Sequence, residues 1–183
     1  MNSAASVSGD ERLRLFLALR LPDDVLGEIE RWQRQQLRNV RAVPREHLHV
    51  TLAFLGHRPA GELESIVEAL RDAAAGAGEI ALTPSRYRET RSVGMLVLED
   101  DDGHATLVAE DVQDRLERLG VYRREGRDWL PHLTVARWRT RPRLALEPPP
   151  VGTFVPSDAA AYLSRLHPSG AVYEVLESVA LGG

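Results

Sequence analysis

The chain contains no cysteine and no lysine. Without cysteine there is no disulfide, no thiolate nucleophile and no zinc–thiolate site. Without lysine there is no Schiff base, no phosphate-loop lysine and no lysine–adenylate intermediate. A ligase that runs on ATP through such an adenylate is thereby excluded. Every basic side chain is arginine. Long apolar runs are also missing: none approaches the roughly 20 residues that a membrane-spanning helix needs. The opening "MNSAASVSGDE" lacks the basic start and apolar core of a secretory signal. It reads as a disordered tail over residues 1–11, with 12–183 forming a single domain. A cytoplasmic location is the expectation, compatible with zero cysteines. The formal charge of −4 argues against a general nucleic-acid coat. Any such contact would be local.

What is present alternates strands and helices. "RLRLFLAL", 12–19, puts Leu13, Leu15, Leu17 and Leu19 on one face, which is strand periodicity. Residues 22–37 read as a helix with Val25, Ile29 and Trp32 inward. "HLHVTLAFLG", 47–56, reads as a strand. A second helix is expected over 61–76 and a third over 104–119, the latter with Leu107, Val108, Val112, Leu116 and Leu119 on its apolar side. Strands are expected at 79–88, 93–99 and 129–138. The proline-rich stretch 139–152 reads as a loop, and 160–181 as a closing hairpin around "HPSG".

One order occurs twice. Strand, helix and a strand bearing His-x-Thr runs through 12–55 and again through 93–138. This predicts an α+β fold of two similar lobes with mainly antiparallel sheets. Side chains alternate along a strand. His47, His49, Thr51 and Ala53 are therefore expected on one face, with Leu48, Val50, Leu52 and Phe54 on the core face. In the second motif His132 and Thr134 share a face, opposite Leu133 and Val135.

Two histidines and two threonines facing one another across a cleft suit in-line displacement at phosphorus. One histidine acts as base and the other as acid, since the unperturbed group titrates near ~6.5. Threonine hydroxyls donate to the non-bridging oxygens. No metal is required. A three-histidine metal site from His47, His49 and His132 is the competing chemistry. It is weakened because the second motif has Leu130 where the first has His47. A single His-x-Thr strand would be weak evidence, and two equivalently placed copies are not. The arginines of "RWRTRPR", 137–143, offer a local basic patch or a solvated edge. His57, His104 and His167 read as surface residues, and Trp129 and Trp138 as packing.

At "RLFLALRLP", "LHVTLAFLG", "PHLTVAR" and "YLSRLHPSGAVYEVL" the sequence resembles the 2H phosphoesterase superfamily, in particular the bacterial RNA 2′,3′-cyclic phosphodiesterases, also called 2′-5′ RNA ligases. The resemblance implies a pseudo-symmetric bilobal fold, two mainly antiparallel sheets with outer helices, and a central active-site groove. It implies hydrolysis of a terminal 2′,3′-cyclic phosphate to a 2′-phosphomonoester, with no metal and no cofactor. It assigns His49 as proton donor and His132 as proton acceptor, a direction that the nearly symmetric sequence does not choose. It places Thr51, Thr134 and Arg137 on the phosphate. Strict alternation puts Arg137 on the face opposite His132, so the strand must bulge or end there, or the side chain must reach around. The expected partners are RNA 3′ ends or small cyclic nucleotides, with no membrane and no obligatory protein partner, for a monomer. Three other functions stay open: a cyclic phosphodiesterase for a small nucleotide such as an ADP-ribose cyclic phosphate, reversible 2′-5′ ligation, and a non-catalytic RNA-end binder.

Overall fold

The computed structural model describes residues 11–182. The expected tail, except Glu11, lies outside them, as does Gly183. The strands are β1 (Arg12–Arg20), β2 (Arg41–Ala42), β3 (Val50–Pro59), β4 (Thr83–Glu89), β5 (Val93–Glu99), β6 (His132–Arg137), β7 (Asp158–His167) and β8 (Gly170–Val179). The helices are α1 (Asp23–Gln36), α2 (Leu63–Ala75) and α3 (His104–Arg118). Short 3-10 turns cover Arg45–His47 and Ala60–Glu62.

All strand pairs are antiparallel, in the order β4-β5-β6-β3-β1-β7-β8, with β2 beside β6. The two expected sheets are halves of one curled sheet. β3, β1, β7 and β8 form the first half, and β4, β5, β6 and β2 the second. They meet at a single pair, Val50 opposite Leu133. These are the middle residues of the two His-x-Thr motifs.

Strand β1 carries the first half. Leu15, Leu17 and Leu19 are fully enclosed and Leu13 nearly so, on the face that packs against the helices. Burying each contributes roughly 1.5–3 kcal/mol. The opposite face carries Arg14, Phe16 and Ala18, with Phe16 and Ala18 in a small cluster with Ala160, Tyr162 and Tyr173. The helices cross over. α1 follows β1, yet its Trp32 lies against Tyr87 of β4 and its Gln33 reaches β6. α3 follows β5, yet its Gln113 reaches β3.

Among the described residues, both glutamines and Ser164 are polar and buried as whole residues. Each glutamine binds a strand irregularity. In β3, Leu17 pairs with Ala53 but Ala18 pairs with Thr51, so Leu52 is an extra residue. In β6, Gly94 pairs with Ala136 but Met95 with Thr134, so Val135 is extra. A bulge leaves its extra residue outside the regular ladder. Gln113 Nε2 donates to the Leu52 carbonyl at 2.8 Å. Gln33 Nε2 donates to the carbonyls of Val135 and Val43, both at 2.9 Å.

Three expectations change. The first motif strand begins at Val50 and not at residue 47; His47 sits on a 3-10 turn following Pro44, and His49 just precedes the strand. Phe54 is not core but 50% exposed. The Leu52 bulge reverses the alternation, and Phe54 pairs with Phe16 on the face away from the helices. Leu107 and Leu119 are exposed, while Val108, Val112 and Leu116 of the same helix are buried; the apolar stripe is narrower than the run of apolar residues. The loop after β6 is tied down by Glu89, whose buried carboxylate accepts from Arg141 Nε and from the Arg143 and Leu144 amides.

Replacing Gln113 with leucine removes the donor to a buried carbonyl, which costs about 1–3 kcal/mol. Urea unfolding of the Gln113→Leu variant should show that loss with an unchanged slope. An exposed control such as Gln35→Leu should lie within about 0.5 kcal/mol of the parent.

Candidate active site

The Val50–Leu133 pair fixes the geometry of the site. Both side chains point into the core, at 1% and 0% exposure. Their sequence neighbours must therefore turn the other way. His49, Thr51, His132 and Thr134 all line one cleft of about 710 Å³. Antiparallel pairing of the middle residues sets each histidine toward the other motif's threonine. All four predicted residues come together on one face.

Arg137 joins them. The Val135 bulge shifts the alternation by one, so Arg137 pairs with Val93 while Thr134 pairs with Met95, two positions along β5. Partners of alternate residues share a face. Thr134 and Arg137 therefore point the same way, and Arg137 lines the cleft. The same device operates in the first motif. "HVTLAF" and "HLTVAR" correspond residue for residue. In each, a bulge directly after the threonine turns the sixth residue, Phe54 or Arg137, into the cleft.

His132 Nδ1 lies 2.8 Å from the Leu130 carbonyl. A carbonyl only accepts, so Nδ1 carries the proton, and in the neutral ring Nε2 is left as the base. Phe16 stacks on His49 at 4.8 Å between ring centroids. Burial pushes the His49 pKa down to about 4, against the raising effect of the His47 backbone; the charges of His47, His132 and Arg137 lower it further. Burial and neighbouring positive charge thus keep His49 neutral at neutral pH.

His47 also lines the cleft, 4.2 Å from the Tyr173 ring. Burial holds its pKa below the ordinary value, opposed by Glu46 and assisted by Arg137 and Arg41. Of the four arginines at 137–143, only Arg137 lines the cleft; Arg141 is engaged with Glu89. His57, His104 and His167 lie outside it. His104 Nδ1 bonds the Glu79 carbonyl at 2.7 Å. Trp129 and Trp138 do not line the cleft either; their indole nitrogens donate to the carbonyls of Thr51 and Thr90.

Sequence reasoning missed Arg14, Phe16, Arg41 and Tyr173, all on the cleft wall. Arg14 and Phe16 were legible as the second face of 12–19. Arg41 and Tyr173 had no signal, because the turn that brings them in is tertiary. Arg14 lies 4.8 Å over the Phe54 ring and donates to Ser164 Oγ at 2.6 Å.

Residues 21–151 match the family model described as the 2′-5′ RNA ligase superfamily. A Thermus thermophilus protein named RNA 2′,3′-cyclic phosphodiesterase is 32% identical over 190 residues, covering 93% of this chain and 91% of the relative. A Methanocaldococcus jannaschii protein of the same name is 25% identical over 182 residues, covering 90% and 99%. Among solved structures, Escherichia coli LigT in apo form superposes with a TM-score of 0.80 at 23% identity, covering 95% of this chain and all of that one.

The depressed His49 pKa makes folding sensitive to acid. Between pH 6.5 and about 4 the unfolded chain binds a proton there that the folded chain refuses. Stability contributed by neutral His49 is fully present above pH 6.5 and is lost as pH falls through that window. His47 acts in the same direction. Chemical denaturation at pH 7, 6, 5 and 4.5 should show stability falling in the parent and falling less steeply in His49→Gln.

Proposed function

The chain belongs to the 2′-5′ RNA ligase superfamily, and on that premise we propose that it hydrolyses RNA-terminal 2′,3′-cyclic phosphates to 2′-phosphomonoesters without metal or cofactor. One observation carries the reading: two histidines, His132 with its ring anchored on a backbone carbonyl, line one cleft with two threonines and an arginine. Four curated relatives named RNA 2′,3′-cyclic phosphodiesterase support the activity.

His132 fits the base. Its Nδ1–H is committed to the Leu130 carbonyl, and Nε2 is free to take a proton from water. His49 is the acid that protonates the departing 3′ oxygen. Thr51, Thr134 and Arg137 hold the non-bridging oxygens as negative charge grows on them. Before phosphate binds, His49 is neutral, held so by burial and by neighbouring positive charge. A bound phosphate anion opposes both effects. It neutralises the field of Arg137 and favours the imidazolium directly. Substrate thus creates its own acid at His49.

Phe54 is half exposed and lines the cleft. A base stacked there would gain about 1–3 kcal/mol. A non-catalytic RNA-end binder would keep the cleft without turnover, and ligation would be the reverse of the same step.

His132→Ala and His49→Ala should each lower kcat by roughly 10²–10⁴-fold on a cyclic-phosphate RNA end, the range of acid–base catalysis. Retained activity in either would sink the assignment. Adding inorganic phosphate should raise the NMR-measured pKa of His49 from about 4 toward neutrality. An unchanged value would reverse the two histidines' roles.

A further inference from the structure

Arg41 and Arg137 are direct cross-strand partners in the antiparallel pair β2–β6. Like charges directly opposite one another destabilise a sheet. Neither guanidinium forms an ion pair among the described residues, although thirteen such pairs involve other side chains. Both line the cleft. β2 is only two residues long, and nothing in its length requires a charge at that position. The fold keeps two uncompensated cations side by side at the cleft wall.

Their neighbours extend the pattern away from the histidine pair. Arg41 reaches the β7–β8 turn: a Cβ on Gly170 would lie 3.2 Å from Arg41 Nη2. His47, stacked on Tyr173, lies close enough to both arginines to feel their charge. Among the described residues, Glu46 is the one carboxylate lining the cleft, against Arg14, Arg41 and Arg137. It bears on His47 and pairs with neither arginine.

The geometry points to a second phosphate subsite, with Arg41 as its principal cation and His47 beside it, for the phosphate on the 5′ side of the terminal nucleoside. This inference rests on the cyclic-phosphodiesterase reading and names what that site selects. One phosphate sits between Thr51, Thr134 and Arg137 and reacts. The other sits against Arg41 and does not. A chain end supplies two phosphates and relieves the repulsion between the arginines. A nucleoside cyclic phosphate supplies one. Arg41 is therefore a specificity-determining residue, favouring RNA ends over lone nucleosides.

Three substrates separate the possibilities: a nucleoside 2′,3′-cyclic phosphate with a free 5′-hydroxyl, the same compound bearing a 5′-phosphate, and a short oligoribonucleotide ending in the cyclic phosphate. Arg41→Gln should lower kcat/KM on the latter two by about tenfold or more, chiefly through KM, relative to the 5′-hydroxyl compound. The salt dependence on the oligonucleotide should become shallower by about 0.7 in log–log slope, the value for one phosphate contact on a single strand. Thermal unfolding of Arg41→Gln at low salt should match or exceed the parent, since a repulsion is removed. Equal loss on all three substrates would place Arg41 on the reacting phosphate and overturn the proposal, as would no loss on any. A larger effect on the 5′-phosphorylated nucleotide than on the oligonucleotide would identify the preferred anion as a monoester, within the same subsite. Failure of the parent protein to turn over any of the three would refute the cyclic-phosphodiesterase reading itself.

Discussion

The join between Val50 and Leu133 is the contact on which the rest of the structure depends. It is a single residue pair between two four-stranded halves. Because both side chains are buried, the histidine and threonine on either side of each must face away from the core. Because the pairing is antiparallel, the two motifs are related by a local twofold, and each brings its polar pair to the same cleft. No other register places all four groups together. A slip of one residue would bury the histidines and expose Val50 and Leu133.

The bulges add what regular strands do not provide. Strict alternation would send Phe54 and Arg137 into the core side. An extra residue after each threonine turns them into the cleft, and a buried glutamine from the crossed-over helix binds each extra residue's carbonyl. The pseudo-symmetry of the fold is broken at that sixth position. One lobe supplies a cation, suited to phosphate, and the other an aromatic ring, suited to a base. A symmetric scaffold thus gains a direction along which an asymmetric ligand can lie.

Much of this was legible in the sequence. The four leucines of 12–19, the inward face of 22–37 and the paired motifs pointed to the elements and to the four side chains that share the cleft. The resemblance supplied Arg137, while its orientation remained a conflict that only the bulge resolves. Phe54 was misplaced for the same reason, since bulges leave no trace in hydrophobic alternation. His47 was set apart from the pair because Leu130 occupies the matching place, and the structure puts it on the same cleft wall. Arg41 was invisible: its meaning lies in a two-residue strand pairing across nearly a hundred positions with Arg137.

The central claim is that two histidines, brought together by one strand pair, act on one phosphate without help from metal. It is tested most directly by incubating the protein, in the presence of a strong chelator, with an oligoribonucleotide ending in a 2′,3′-cyclic phosphate and identifying the product. The account predicts full turnover to a 2′-phosphomonoester end. A 3′-phosphomonoester, or loss of turnover in chelator that returns with added metal, would contradict it.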